Sequence, residues 1–171
     1  MNNYDSPRVK LICAVTYAQD IDLDDVIFSL EGAFGFVDGK SEAIDFNHTD
    51  YYTAEMGPDL KKILFSFEHP FQADNLYLAK RSTIDIEHFF ARQHKRRINL
   101  DPGYLELSKF VLASTKDFSH RIYLNQGIFA EVTLIYMNDE FQKLPWTYPD
   151  YLTPEFLAFL SKTREEFKLS H

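Results

Sequence analysis

Residues 9–18, VKLICAVTYA, form the stretch that decides how the fold is interpreted. The run is almost continuously apolar and rich in β-forming residues, which is typical of a central strand buried on both faces. Acidic residues follow at 20–25, where they suit the start of a helix. Apolar residues then recur at helical spacing as far as Phe34, and Gly35 is suited to end the helix. We therefore expect a buried strand followed by an amphipathic helix.

The next segments predict the rest of a core. Residues 36–50 show little periodicity and are expected to form a loop. Residues 51–56 (YYTAEM) and 61–68 (KKILFSFE) predict two strands in hairpin register. Residues 74–92 predict a long helix, and residues 97–100 a short strand. The order strand, helix, strand, strand, helix, strand is that of a ferredoxin-like βαββαβ core, with both helices on one face of an antiparallel sheet.

Three further β segments follow, at residues 109–114, 121–125 and 128–137. An Asn-Gln-Gly turn at 125–127 favours a hairpin between the last two. Thr153 and Pro154 have the residue types of a helix N-cap and first position. We therefore predict a single α+β domain over residues 1–171, in which the ferredoxin-like core is extended by a C-terminal β-hairpin and a terminal helix.

Composition narrows the class of function. The chain has 171 residues, about the length of one domain, and its 18 Lys and Arg against 26 Asp and Glu give a net charge of −8. Such acidity disfavours sequence-independent binding to nucleic-acid backbones. The single Cys13 excludes an internal disulfide and any multi-cysteine metal site. We find neither a signal-peptide pattern nor a membrane-helix pattern, so we expect a cytoplasmic protein without membrane contact.

The second predicted helix carries a polar stripe. Lys80, Thr83 and Glu87 recur at spacings of three and four, in line with the apolar Leu76 and Phe90. A polar trio on an apolar stripe is expected to be partly buried, and a buried charge needs a partner. Two interpretations remain open. The trio is either an ion pair bridged by Thr83, at the solvent boundary, or one wall of a ligand pocket.

The segment Asp-Pro-Gly-Tyr at 101–104 has the residue types of a tight turn. Asp101 then either organises its own turn or is a carboxylate held at a strand end for chemistry. In the second case Asp101 is a candidate catalytic residue, and Tyr104 beside it is a candidate ligand contact.

A third group gathers groups that bind anions. Residues 114–121 include Ser114, Thr115, Lys116, His120 and Arg121. Arginine offers a bidentate fork to phosphate or carboxylate, lysine offers a point charge, and histidine transfers protons near neutral pH. Glu131, inside an apolar strand, is a candidate buried counter-charge. Asp101, His120 and Glu131 are the candidate catalytic acids and bases, and a solvated hairpin with a surface ion pair is the alternative.

Two more candidates complete the predicted site. Glu55 is a further acid, base or counter-charge. Tyr148 belongs to an aromatic segment at 146–151 (WTYPDY) that either caps a pocket or pins the C-terminal helix to the sheet. The six histidines lack metal-ligand spacing, so no metal site is predicted and no cofactor is indicated.

Several of these segments together resemble a known family. They are TDYY at 49–52 with EMG at 55–57, NLDPGY at 99–104, VLASTK at 111–116, HRIY at 120–123 and WTYPDY at 146–151. In this order they resemble an uncharacterised bacterial and archaeal family, a domain of unknown function. Some of its members are labelled "GTP-binding protein", although this sequence contains no GxxxxGK[ST] phosphate loop. The resemblance therefore implies membership but no established activity.

Two functions follow as hypotheses. The first is a pocket that accepts a small anion, either a nucleotide or a phosphorylated metabolite. The second is an RNA- or protein-binding module without catalysis, because residues 80–97 contain six basic and two acidic residues. The sequence gives no prediction of oligomeric state.

Overall fold

The protein, described by a computed structural model over residues 5–171, is built on a ten-stranded antiparallel sheet. The strands are β1 (Arg8–Tyr17), β2 (Val37–Lys40), β3 (Ile44–Phe46), β4 (Leu60–Phe67), β5 (Phe71–Gln72), β6 (Ile98–Leu105), β7 (Lys109–Ser114), β8 (Arg121–Asn125), β9 (Ile128–Met137) and β10 (Glu140–Lys143). The α-helices are α1 (Leu23–Phe34), α2 (Thr53–Met56), α3 (Leu76–Phe90) and α4 (Pro154–Leu169). The predicted α+β class is confirmed.

Strand β1 lies at the centre of the sheet, between β6 and β4 in the order β10-β9-β7-β6-β1-β4-β2. Its side chains alternate between two cores. Leu11, Cys13 and Val15 pack in one core with α1 and α3, whereas Ile12 and Ala14 pack in the other with α4. Burial on both faces explains the continuous apolar run and confirms the predicted central strand.

Helices α1 and α4 begin where the sequence predicts, α1 also ends at the predicted Gly35, and α3 lies within the predicted range of 74–92. Asp22 caps α1 by accepting a hydrogen bond from the Asp24 amide at 2.9 Å, and Gly35 ends α1 with φ of 87°. Thr153 caps α4 by accepting from the amide of Phe156. None of the helices in residues 5–171 is both long and apolar enough to cross a membrane.

Two predictions between α1 and β4 are wrong. The expected loop at 36–50 contains β2 and β3, which both pair with β4. The expected strand at 51–56 contains the short helix α2, and the amide of Gly57 donates to the carbonyl of Thr53. The short strands β2 and β3 present no sustained alternation, and the aromatic residues at 51–52 raised the apparent β-propensity of a helical segment.

The predicted turn at 101–104 is also wrong, because these residues lie within β6. Pro102 has no amide to donate, and β7 pairs with β6 only over Gly103–Leu105, so Pro102 needs no partner there. Gly103 is required by close approach of the neighbouring strand. A Cβ atom on Gly103 would lie 2.2 Å from the carbonyl oxygen of Val111. Pro102 is therefore tolerated where β7 no longer pairs with β6, and Gly103 is needed where β7 approaches β6 closely.

The C-terminal half of the sheet contains the predicted hairpin and one strand more. Gln126 and Gly127, with φ of 49° and 77°, connect β8 to β9 as expected. Asn138 and Asp139, with φ of 54° and 62°, form a second turn that leads into β10. Strand β10 was not predicted, because it is only four residues long.

Gly103→Ala should lower the free energy of unfolding by about 1–3 kcal/mol, since the added methyl would meet the backbone of β7. Gly32→Ala is the matched control. It lies inside α1 with nothing within 4 Å of the new Cβ atom, so it should stabilise by about 0.5–1 kcal/mol. Urea denaturation of both variants measures the difference. Equal effects of the two substitutions would contradict the close approach of β7.

Candidate functional site

A cavity of about 720 Å³ lies where β6 and β7 diverge. β7 continues to pair with β9 through Ala113 and Ser114, but it pairs with β6 only as far as Leu112. The residues of β6 that precede Gly103 therefore do not pair with β7, and two of them, Asn99 and Asp101, line the cavity. The open edge of one strand thus forms part of the cavity wall.

Side chains of the polar stripe on α3 form hydrogen bonds with the backbone of β6 at this open edge. The amide of Leu100 donates to Glu87 Oε1 at 2.7 Å. Lys80 Nζ donates to the carbonyl of Leu100 at 2.8 Å and to Asp101 Oδ1 at 3.1 Å. The hydroxyl of Thr83 donates to the backbone carbonyl of Lys80, so Thr83 does not bridge Lys80 to Glu87. The stripe is buried, and Lys80 and Glu87 line the cavity.

The two carboxyl groups beside Lys80 have different electrostatic surroundings. Burial raises the pKa of Glu87 above its usual value. Burial also acts to raise the pKa of Asp101, but the charges of Lys80 and Lys62, with hydrogen bonds from Lys80 and Asn99, outweigh it and lower that pKa. Asp101 is therefore ionised at neutral pH and serves as the counter-charge of Lys80.

Glu131 contacts two of the three basic residues in the predicted anion-binding group. Arg121 Nε donates to Glu131 Oε2 at 2.9 Å, and His120 Nε2 lies 2.8 Å from the same oxygen. The ring of His120 stacks on Trp146, with centroids 4.6 Å apart. The indole of Trp146 donates to the carbonyl of Val132 at 2.7 Å. Arg121 and His120 are thus held by the protein's own carboxylate.

Lys116 lies at the mouth of the cavity and is exposed. Its ammonium donates to the hydroxyl of Tyr51 at 2.8 Å and lies 4.2 Å from the centroid of that ring. The hydrogen bond from Lys116 lowers the pKa of Tyr51. The backbone amide of Lys116 donates to the hydroxyl of Ser114 at 3.1 Å. Within residues 5–171, no carboxylate forms an ion pair with Lys116.

An ion pair at the inner end of the cavity was missed by the sequence analysis. Lys62 Nζ lies 2.5 Å from Asp150 Oδ2, and both side chains are buried. His48 Nε2 lies 3.4 Å from the other oxygen of Asp150. The position of Lys62 in the apolar strand β4 was a signal that a charge is buried there. The sequence did not identify its partner, because Asp150 is 88 residues away.

Arg96 forms another wall of the cavity. It makes a bidentate contact with Glu55, with two N···O distances of 2.9 Å, and its third nitrogen donates to Asn99 Oδ1. The hydrogen bonds from Arg96 lower the pKa of Glu55. Glu55 itself does not line the cavity, so it acts on the site by positioning Arg96.

Most of the candidate residues line this cavity: Lys80, Glu87, Asp101, Ser114, Lys116, Arg121, Glu131 and Tyr148. His120 and Glu55 contact lining residues, and Thr83 lies behind Lys80. Tyr104 is instead packed with Leu76 in a separate apolar cluster, where burial raises the pKa of its hydroxyl. The structure therefore brings most of the candidates together and leaves Tyr104 outside the site.

The basic segment at 80–97 is largely neutralised within the protein. Arg92 and Arg97 both pair with Asp20, at 2.7 Å and 2.5 Å. Two more of its cations, Lys80 and Arg96, line the cavity, whereas Arg81 and Lys95 are exposed and form no ion pair among residues 5–171. Over residues 5–171, no three His, Cys, Asp or Glu side chains are grouped closely enough to hold a metal ion.

Arg121→Ala should lower the free energy of unfolding by about 3–5 kcal/mol, because it leaves the buried Glu131 carboxylate without its guanidinium. Arg92→Ala is the control, since its ion pair with Asp20 is exposed and should contribute less than about 1 kcal/mol. Thermal melting of both variants measures the two effects. If Arg121→Ala and Arg92→Ala melt at the same temperature, the Arg121–Glu131 pair does not stabilise the fold.

Comparison with known proteins identifies the family. No curated protein and no solved structure matches the chain. A family model described as "Domain of unknown function (DUF4416)" matches residues 7–167, which is nearly the whole chain. The motifs that carry the resemblance supply much of the cavity wall, including Tyr51, Asp101, Lys116 and Tyr148. The chain belongs to the DUF4416 family.

Proposed function

We propose that this protein binds a small anionic ligand, a nucleotide or a phosphorylated metabolite, in the cavity between β6 and β7. The volume of about 720 Å³ supports this proposal because it falls within the range of about 300–1,000 Å³ found for small-molecule sites. The wall combines aromatic rings with nine lysine, arginine, aspartate and glutamate side chains, a more charged lining than most small-molecule sites have, and this favours a charged ligand.

The observation that carries the proposal is the distribution of charge around the cavity. Three cations of the wall each face a carboxylate that also lines the cavity: Lys62, Lys80 and Arg121. A fourth cation, Arg96, is held by Glu55. Lys116 is paired only with a hydroxyl among residues 5–171, so its charge is available to a ligand. In a protein of net charge −8, a cation at a cavity mouth is the group that favours an incoming anion.

The candidate catalytic residues differ in what they can do for a bound ligand. Asp101 is ionised, and 27% of its side chain is accessible, so it can accept a hydrogen bond from a ligand, but its lowered pKa makes it a weak base. Glu131 and His120 are bound to each other and to the rest of the hairpin, which supports a structural role for both. We therefore propose binding as the function, with Asp101 as an ionised carboxylate that accepts a hydrogen bond from the ligand.

We infer in addition that the core is ferredoxin-like. The order β6-β1-β4-β2, the antiparallel pairing and the packing of α1 and α3 into one core support this assignment. The alternative of an RNA- or protein-binding module receives no comparable support, because most of its basic residues are engaged within the protein.

Lys116→Ala should weaken the binding of inorganic tripolyphosphate about tenfold, because a charged hydrogen bond to the anion is lost. Lys143→Ala removes an exposed cation on β10, away from the cavity, and should leave affinity within twofold of the wild type. Isothermal titration calorimetry at fixed ionic strength measures both. Wild-type protein that fails to bind tripolyphosphate, or equal losses in the two variants, would contradict the proposed anion site.

A further inference from the structure

We propose that the inner end of the cavity recognises a planar base, so that the ligand is a nucleotide with its base near Asp150 and its phosphate at Lys116. This inference rests on the proposed anion site and adds the class of ligand and its orientation. Three features support it: two unpartnered polar atoms, a continuous aromatic wall, and the existing neutralisation of Asp150.

The first feature is a pair of buried polar atoms without hydrogen-bond partners. Asp150 Oδ1 and the hydroxyl of Tyr151 are both buried, both residues line the cavity, and neither atom has a hydrogen bond within residues 5–171. His48 Nε2 lies 3.4 Å from Asp150 Oδ1 without forming one. Because buried polar groups are normally hydrogen-bonded, a ligand that reaches this end of the cavity would supply the donor that Asp150 Oδ1 lacks and a partner for the Tyr151 hydroxyl.

The second feature is an aromatic wall that connects the two ends of the cavity. The ring of Tyr51, beneath Lys116, lies 4.9 Å from the ring of Tyr52. Tyr52 lies 5.8 Å from Phe46, and Phe46 lies 5.1 Å from Lys62 Nζ. Aromatic rings therefore run from the cation at the mouth to the ion pair inside, at interplanar angles of 86° and 52°, so a base would stack on the face of one ring and meet the edges of its neighbours. Stacking on such faces binds any nucleobase, because every base has a π-face.

The third feature excludes a cationic ligand group at the inner end. Asp150 Oδ2 already accepts from Lys62, which also lies 4.5 Å from the ring of Tyr151. A second cation beside Asp150 would be repelled by Lys62 at short range. The remaining oxygen therefore favours a neutral donor such as a ring N–H or an amino group. A sugar phosphate has neutral hydroxyl donors but lacks the flat face that the wall would stack against.

The experiment compares ligands that share a phosphate and differ in the base. Calorimetric titrations would use ribose 5-phosphate, the four ribonucleoside 5′-monophosphates and the four nucleosides. At least one monophosphate should bind tenfold or more tightly than ribose 5-phosphate, because only the nucleotide fills the inner end. Ribose 5-phosphate that binds as well as every nucleotide would overturn the base site while leaving the anion site intact.

Two variants test the contacts. Asp150→Asn replaces the free acceptor with an amide that can still accept from Lys62, and it should reduce the advantage of the preferred nucleotide over ribose 5-phosphate tenfold or more. Tyr151→Phe removes a hydroxyl that has no hydrogen-bond partner within residues 5–171, so it should leave the melting temperature unchanged or higher and weaken nucleotide binding at least threefold. An advantage that survives in Tyr151→Phe and in folded Asp150→Asn would refute the proposal.

The same titrations separate the base site from the anion site. Nucleosides that bind while ribose 5-phosphate does not would support the base site and contradict the proposed function. If neither nucleosides nor nucleotides bind, the base site is wrong, and the result with ribose 5-phosphate then decides the anion site by itself.

Discussion

The structure depends on two side chains of α3 that take the place of a missing strand neighbour. Lys80 and Glu87 supply the donor and the acceptor for the backbone of Leu100, where β6 has no β7 beside it. A buried backbone amide or carbonyl without a partner is strongly unfavourable, so two strands cannot separate inside a protein unless other groups satisfy the exposed edge. Because α3 does so, β7 can diverge and a cavity can form within the sheet.

The walls of this cavity are joined by ion pairs between distant parts of the chain. Lys62 of β4 binds Asp150 in the turn before α4, and Arg121 of β8 binds Glu131 of β9. Each buried pair replaces water around its charges with one fixed partner, which adds little net stability but disfavours alternative arrangements of the wall. The charged groups of the wall are therefore held in fixed positions by carboxylates, and Lys116, at the mouth, is the exception.

The sequence predicted those parts of the structure that depend on local periodicity. The buried run of β1, the capped helices and the polar stripe at Lys80, Thr83 and Glu87 all have patterns that a single element produces. The segment at 101–104 was misassigned because Asp-Pro-Gly normally forms a turn, whereas here a strand with an open edge accommodates Pro102. The ion pair of Lys62 with Asp150 depends on tertiary packing alone, which no local pattern reveals.

Amide hydrogen exchange at Leu100 tests the central claim most directly. In the wild-type protein the Leu100 amide should exchange as slowly as the Cys13 amide in the middle of β1, although β7 does not pair with β6 at Leu100. Glu87→Met removes the acceptor, so Leu100 exchange should accelerate at least tenfold more than Cys13 exchange. Equal acceleration of both amides would report only a global loss of stability, and it would contradict the assignment of Glu87 as the substitute for a neighbouring strand.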